Sequence, residues 1–119
     1  TPTVADAKDS WQPIRKSLQA FSESNDKQVI FTEFGYRSRD YAGKQPWNSS
    51  RTKGNSNQQG QANLLQATLQ SFWEASWFAG GFLWKWFPDE NQYKERQKNR
   101  FSIQGKQAEG VVRKFYKRY

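Results

Sequence analysis

Residues 29–35 read VIFTEFG, an apolar, β-branched and aromatic run that ends by presenting one carboxylate, Glu33, beside Gly35. A strand of that composition belongs in a core, where an acid needs a reason to be present. The chain contains neither histidine nor cysteine. Their absence removes the commonest general base, the usual zinc ligand and every Ser-His or Cys-His pair, so any catalysis falls to carboxylates, Tyr and Lys. It also leaves no disulfide framework. A second run, GGFLWKW at 80–86, reads as another strand. Alternation puts Phe82, Trp84 and Trp86 on one of its sides and Leu83 and Lys85 on the other. The plain alternative for Glu33 is a cap on the next turn or a salt bridge to Arg37.

The elements that must position these residues follow from periodicity. From Val4 to about Ser24, apolar Ala7, Trp11, Ile14, Leu18 and Phe21 recur at helical spacing while Lys8, Arg15, Lys16 and Glu23 take the opposite face. Pro13 either kinks this helix or starts a second one with Ser10 as its cap. After the strand at 29–34 the chain loses periodicity for about 25 residues, a length usual for functional or disordered loops. Tyr36, Arg37 and Trp47 are expected near the site, and Ser49 to Gln59 is expected to be mobile. Ala62, Leu65, Leu69, Phe72 and Trp73 predict a helix from Gln61 to about Ala75, followed by a strand from Gly80 to Trp86. Asn91 to Asn99 reads as a charged loop, and a last helix opens at Gln104, with Ala108, Val112, Phe115 and Tyr119 opposite Arg113, Lys114, Lys117 and Arg118. The order helix, strand, helix, strand, helix argues for an α/β fold with parallel pairing and helical crossovers.

A length of 119 residues allows one small core. Hydrophobic residues make up only 34% and mean hydropathy is −1.10, yet aromatics reach 17% with six Trp, so apolar area is concentrated in a few large rings. Net charge is +8 with a pI near 9.9, which brings an acidic partner or a nucleic acid into consideration. The basic excess is local, however, lying mostly between Lys94 and Arg118 on what reads as the solvent side of the last helix. No RNA-binding or helix-turn-helix signature accompanies it, which argues against nucleic acid as the partner. No apolar stretch approaches the roughly 20 residues of a membrane span, and Thr1-Pro2-Thr3 opens no signal sequence. The mature chain is therefore expected to be soluble with no membrane partner, and nothing points to a compartment. Two strands alone cannot form a sheet covered on both faces, because each leaves an apolar edge of the kind native domains avoid. The chain reads as part of a larger barrel whose remainder comes from the same protein or from another chain.

The stretches VIFTEFGYRS at 29–38, KQPW at 44–47, QAN at 61–63 and above all WFAGGFLWKWFPD at 77–89 resemble the C-terminal part of family 113 glycoside hydrolases, β-mannanase-like enzymes of the large clan of retaining (β/α)8 barrels. The resemblance covers nearly the whole chain, which makes residues 1–119 the C-terminal part of a TIM-barrel glycoside hydrolase domain, incomplete on its own. It implies that 29–34 is the seventh barrel strand and 80–86 the eighth, with the active site at their C-terminal ends. It makes Glu33 the nucleophile, with β-linked carbohydrate as substrate and neither cofactor nor metal. A pyranose shows an apolar CH face, which an indole covers while neighbouring polar groups bond the hydroxyls. The resemblance favours Trp84 as that platform, a position followed in some members of the clan by a non-proline cis peptide. Trp86 is a second candidate, Tyr36 a candidate to orient Glu33, and Arg37 and Trp47 candidates for outer substrate contacts.

Retaining chemistry needs a second carboxylic acid about 5 to 5.5 Å from the nucleophile to protonate the leaving oxygen. In this clan it lies on the fourth strand, typically after an Asn, and no segment here matches. Glu23 and Glu74 lie on helices, and Asp89 follows Pro88 at the rim. The 119-residue chain alone is thus expected to have no appreciable glycosidase activity. The competing readings are a non-catalytic carbohydrate-binding or structural barrel fragment and a basic nucleic-acid-binding module.

Overall fold

The structure, a computed structural model, describes residues 1–47, 55–89 and 98–117. Helix α1 (Val4–Asn25) starts where Thr3 accepts the Asp6 N–H at 3.1 Å and donates to the Asp6 carboxylate at 2.6 Å. That reciprocal pair satisfies donors the first turn would otherwise leave open. The helix does not break at Pro13. Ser10 donates to the Asp6 carbonyl one turn back instead of capping a second helix. Pro13 itself is exposed, so the carbonyl deprived of its helical donor lies on the wet side. Asp26, at φ 50, ends the helix in the left-handed conformation.

Strand β1 (Val29–Phe34) pairs in parallel with β2 (Phe78–Leu83), and helix α2 (Gln58–Phe72) makes the crossover between them. Helix α3 (Gln107–Tyr116) follows, which completes the expected α/β order. Boundaries moved in three places. Strand β2 begins at Phe78 and ends at Leu83, short of the expected Trp86, although the Trp84 N–H still donates to the Phe34 carbonyl at 2.7 Å. Helix α2 begins at Gln58 because Asn57 caps it, its side chain accepting the Gly60 N–H at 2.8 Å. Residues 104–106 form a turn with Gly105 at φ +69, so α3 starts only at Gln107.

Helix α2 is the hub, packing against α1 and α3, with Leu65, Ala67, Leu69 and Phe72 all buried. Phe31 of β1 stands 4.9 Å from both Phe72 and Phe78 by ring centroids, and Trp11 of α1 meets Phe72 edge-on at 5.1 Å. These rings carry the core that the composition promised. Two members of the expected α1 stripe are not in it. Ile14 and Phe21 are exposed, as are Ile30 of β1 and Phe82 of β2. The reason is topological, since the described sheet has only two strands and nothing covers its other face or its edges.

The register between the strands slips between Phe31 and Phe34. Three residues of β1 there span what two residues of β2 span, so both phenylalanines turn to the helices. Thr32 and Glu33 are left exposed. Beyond β1, part of the stretch expected to be mobile is held. Arg39 bridges Ser56, the Asp40 N–H donates to the Asn55 carbonyl at 3.1 Å, and the Asn57 N–H donates to Ser38 at 2.8 Å. Asn55 to Gln59 is therefore structured, whereas 48–54 lies outside the described residues, as do 91–97 of the expected charged loop and Arg118 and Tyr119 of the last helix. In α3, Ala108, Val112 and Phe115 are buried while Arg113, Lys114 and Lys117 face solvent. Among the described residues no helix is long and apolar enough to cross a membrane.

Candidate functional site

Glu33 sits one residue before the end of β1, exposed, on the side of the strand that the slip turned away from the helices. Among the described residues no hydrogen bond or ion pair engages its carboxylate. Gly35 explains how the two strand ends come together. A Cβ there would stand 2.0 Å from the Trp84 carbonyl oxygen, so only glycine lets the backbone of β1 pass the end of β2. Trp84, 45% exposed, is thereby held beside the acid, and the Trp84–Lys85 peptide is cis. The Lys85 ammonium stands 5.1 Å from the Trp84 ring centroid.

Glu33 and Trp84 line one cleft of about 540 Å³ together with Trp11, Pro46 and Trp47. Glu33 is the sole carboxylate among the described residues lining it. Ile14 and Leu18 of α1 and Phe31 of β1 supply the cleft's apolar lining. Trp47, 76% exposed, stands at the mouth. Trp86 is exposed but does not line this cleft.

Two expected site residues make their polar contacts elsewhere, Tyr36 while lining the cleft and Arg37 outside it. Tyr36 is buried, and its hydroxyl lies 3.1 Å from the Thr68 hydroxyl of α2. Thr68 already donates to the Leu64 carbonyl at 2.9 Å, so Tyr36 is the donor in that pair, while Trp11 bonds the phenolic oxygen. Burial raises the Tyr36 pKa, and hydrogen bonding with Thr68 and Trp11 partly offsets it. Tyr36 thus lines the cleft with its ring while its hydroxyl turns to α2, and it makes no bond to Glu33. Arg37 is only 2% exposed and its Nε donates to the Asn99 carbonyl at 2.9 Å, which puts it under the 98–102 segment and not at the mouth of the cleft. Burial first, and then the charges of Arg39 and Arg100, lower its pKa. The salt bridge between Glu33 and Arg37, the plain alternative for the acid, is not formed.

Around Arg37 lies a polar tie that sequence reasoning missed. Gln61 of α2, fully buried, donates from one amide nitrogen to the carbonyls of Tyr36, Phe101 and Ser102 at 2.9, 3.3 and 3.2 Å. The Lys106 ammonium donates to Ser38 Oγ at 2.9 Å and to the Arg100 carbonyl and Ser102 Oγ at 3.3 Å each. Burial lowers the Lys106 pKa to about 8. Gln104 accepts the Phe87 N–H at 2.8 Å, anchoring the segment that leaves Trp86. Trp11, read from the sequence as core alone, was the other omission. Its place in a helix carrying a single Trp gives no signal that one edge of the ring reaches a cleft.

The family profile of Glycoside Hydrolase Family 113 matches residues 2–106. The chain belongs to Glycoside Hydrolase Family 113. Among solved structures it is similar to the family 113 β-mannanase from Alicyclobacillus acidocaldarius in complex with ManMIm, at 29% identity and a TM-score of 0.74, over 92% of this chain and 36% of that one. A family 113 β-1,4-mannanase matches at 26% identity with a TM-score of 0.77, and a complex structure of a family 113 β-1,4-mannanase at 25% with 0.78, each over 94% of this chain and 36% of the other. No curated protein sequence matches the chain. The chain therefore spans 36% of the length of the family 113 structures it matches, and its three helices and two strands correspond to a part of their fold.

Proposed function

We propose that residues 1–119 form the C-terminal part of the (β/α)8 barrel of a retaining, β-mannanase-like hydrolase, with β1 as the seventh strand, β2 as the eighth and Glu33 as the nucleophile. The observation that carries this reading is an unpartnered carboxylate at the C-terminal end of a parallel strand, in a cleft it shares with Trp84 and Trp47. Reacting groups of parallel barrels gather at that end of the strands. A carboxylate committed to architecture would be bonded, and this one is free to react. The uncovered edge of β1 and the apolar lining at Ile14, Leu18 and Phe31 are what a sixth strand would cover, leaving Glu33, Trp84 and Trp47 around the remaining opening.

In this reading the Glu33 carboxylate attacks the anomeric carbon of a β-linked hexose as the bond to the leaving oxygen breaks. A second carboxylic acid delivers its proton to that oxygen, then takes a proton from the water that cleaves the glycosyl ester, so configuration is retained. That second acid belongs to the remainder of the barrel, because no other described residue lining the cleft carries a carboxyl. Trp84 lies under the sugar being cleaved and Trp47 contacts the outer part of the substrate. Tyr36 lines the cleft without bonding Glu33, and Arg37 holds the 98–102 segment. Trp86 stands outside the cleft, and its exposed ring is assigned to the rim.

The test compares the full-length protein with the isolated chain on β-1,4-mannan and an aryl β-mannoside, following the anomer first released. Hydrolysis with retention by the full-length protein, and none by the chain alone, is the expected result. Inversion, or turnover by the 119-residue chain alone, overturns the assignment.

A further inference from the structure

A second cleft, of about 960 Å³, adjoins the first and shares Trp11, Ile14, Tyr36, Pro46 and Trp47 with it. It lies between the N-terminal half of α1 and the loop at 40–47. Since α1 runs into β1 through a short connection, its N-terminus lies at the same end of the sheet as Glu33. The lining mixes rings with polar groups, among them Tyr41, Lys44 and Asp40. Tyr41 is 84% exposed, more than any other large apolar or aromatic residue described. Its backbone is left-handed, at φ 58, a conformation uncommon for a bulky residue.

The loop beneath holds that conformation in place. The Lys44 N–H donates to the Tyr41 carbonyl at 3.1 Å, and Asn57 Nδ2 donates to Asp40 at 2.8 Å. The described residues give the ring little burial in this conformation. An outlier backbone that presents an unburied aromatic side chain on a braced loop points to something outside the fold that the ring meets. Aromatic faces with a nearby amine and carboxylate fit the alternating CH faces and hydroxyls of a sugar chain.

We infer that Tyr41, with Trp47 on the divide between the clefts, forms a further sugar subsite that engages units of the polysaccharide beyond those at Glu33 and so sets a preference for longer chains. This rests on the glycoside hydrolase reading of the first cleft. It does not depend on where the acid/base residue lies.

The experiment measures mannobiose and mannohexaose binding by calorimetry, with the full-length protein carrying Glu33→Gln to prevent turnover, and with Tyr41→Asn or Tyr41→Phe added. Asn removes the ring while tolerating the left-handed backbone, and Phe keeps the ring. Tyr41→Asn is expected to weaken mannohexaose binding roughly threefold to tenfold, the size of one aromatic contact, with Tyr41→Phe close to the parent and mannobiose unchanged in both. Unchanged mannohexaose affinity in Tyr41→Asn, or an equal loss for both sugars, overturns the subsite. If mannohexaose binds no tighter than mannobiose while the wild-type protein hydrolyses mannan with retention, the subsite fails and the active-site reading stands. If the wild-type protein neither binds nor hydrolyses these sugars, both fail.

Discussion

Two regions of this molecule are rich in polar side chains and treat them oppositely. Behind β1, Arg37, Ser38 and Gln61 are buried and Lys106 is half-buried, and each donates to carbonyls or hydroxyls of the 36–38 and 98–102 segments. At the end of β1, a few residues away, Glu33 is exposed and bonded to none of the described residues. Polar groups that a fold uses mostly find partners, because an unpaired one in the interior costs free energy, and the Gln61 Oε1 atom is an exception here. Polar groups that a fold leaves open at a concave surface are available to a ligand. The comparison separates Arg37 from Glu33 although the two stand four positions apart in one motif.

The largest effect that would break this contrast is expected at Glu33. In the full-length protein Glu33→Gln should lower kcat by about 10⁴-fold or more, as removal of a nucleophile does, with the melting temperature unchanged. A loss of stability in place of activity would put Glu33 among the architectural residues. Gln61→Leu should do the reverse. It strands three carbonyls that share one donor, so unfolding free energy should fall by about 3 kcal/mol in denaturant titrations while the residual folded protein keeps its kcat.

The smallest expected effect sharpens the picture of the buried tie. The Lys106 pKa is lowered to about 8 in the fold against 10.5 in the unfolded chain, so between those values the unfolded state binds more protons. Stability should therefore rise as pH climbs from about 8 towards 10. Burial raises the pKa of Tyr36 and of Tyr116, so above pH 10 the unfolded state loses those protons first and stability should fall. Lys106→Met should flatten the rise and leave the fall, a difference read from melting temperatures across that pH range.

Much of this arrangement was legible in the residue order, and what was not had long-range causes. The five elements follow from apolar spacing, and the parallel pairing follows from strands separated by a helix. Glu33 and Trp84 were legible from motifs. The slip in register between Phe31 and Phe34 was not, because simple alternation puts Glu33 on the side of Phe31, and the extra residue shows only against the partner strand. Tyr36 and Arg37 sit next to the acid in sequence, yet their partners Thr68 and Asn99 lie 32 and 62 positions away. Adjacency to Glu33 gives no sign of these distant partners. The second helix expected as one outcome at Pro13 did not start for a local reason, since an exposed proline can leave its orphan carbonyl to water.

The most direct measurement is covalent trapping of the full-length protein with 2-deoxy-2-fluoro-β-mannosyl fluoride, which slows the second step more than the first, followed by mass spectrometry of its peptides. The account predicts one added fluorosugar on the peptide that contains Glu33, and none in Glu33→Gln. A label on any other carboxylate, or turnover of mannan with no trapped ester, would contradict it.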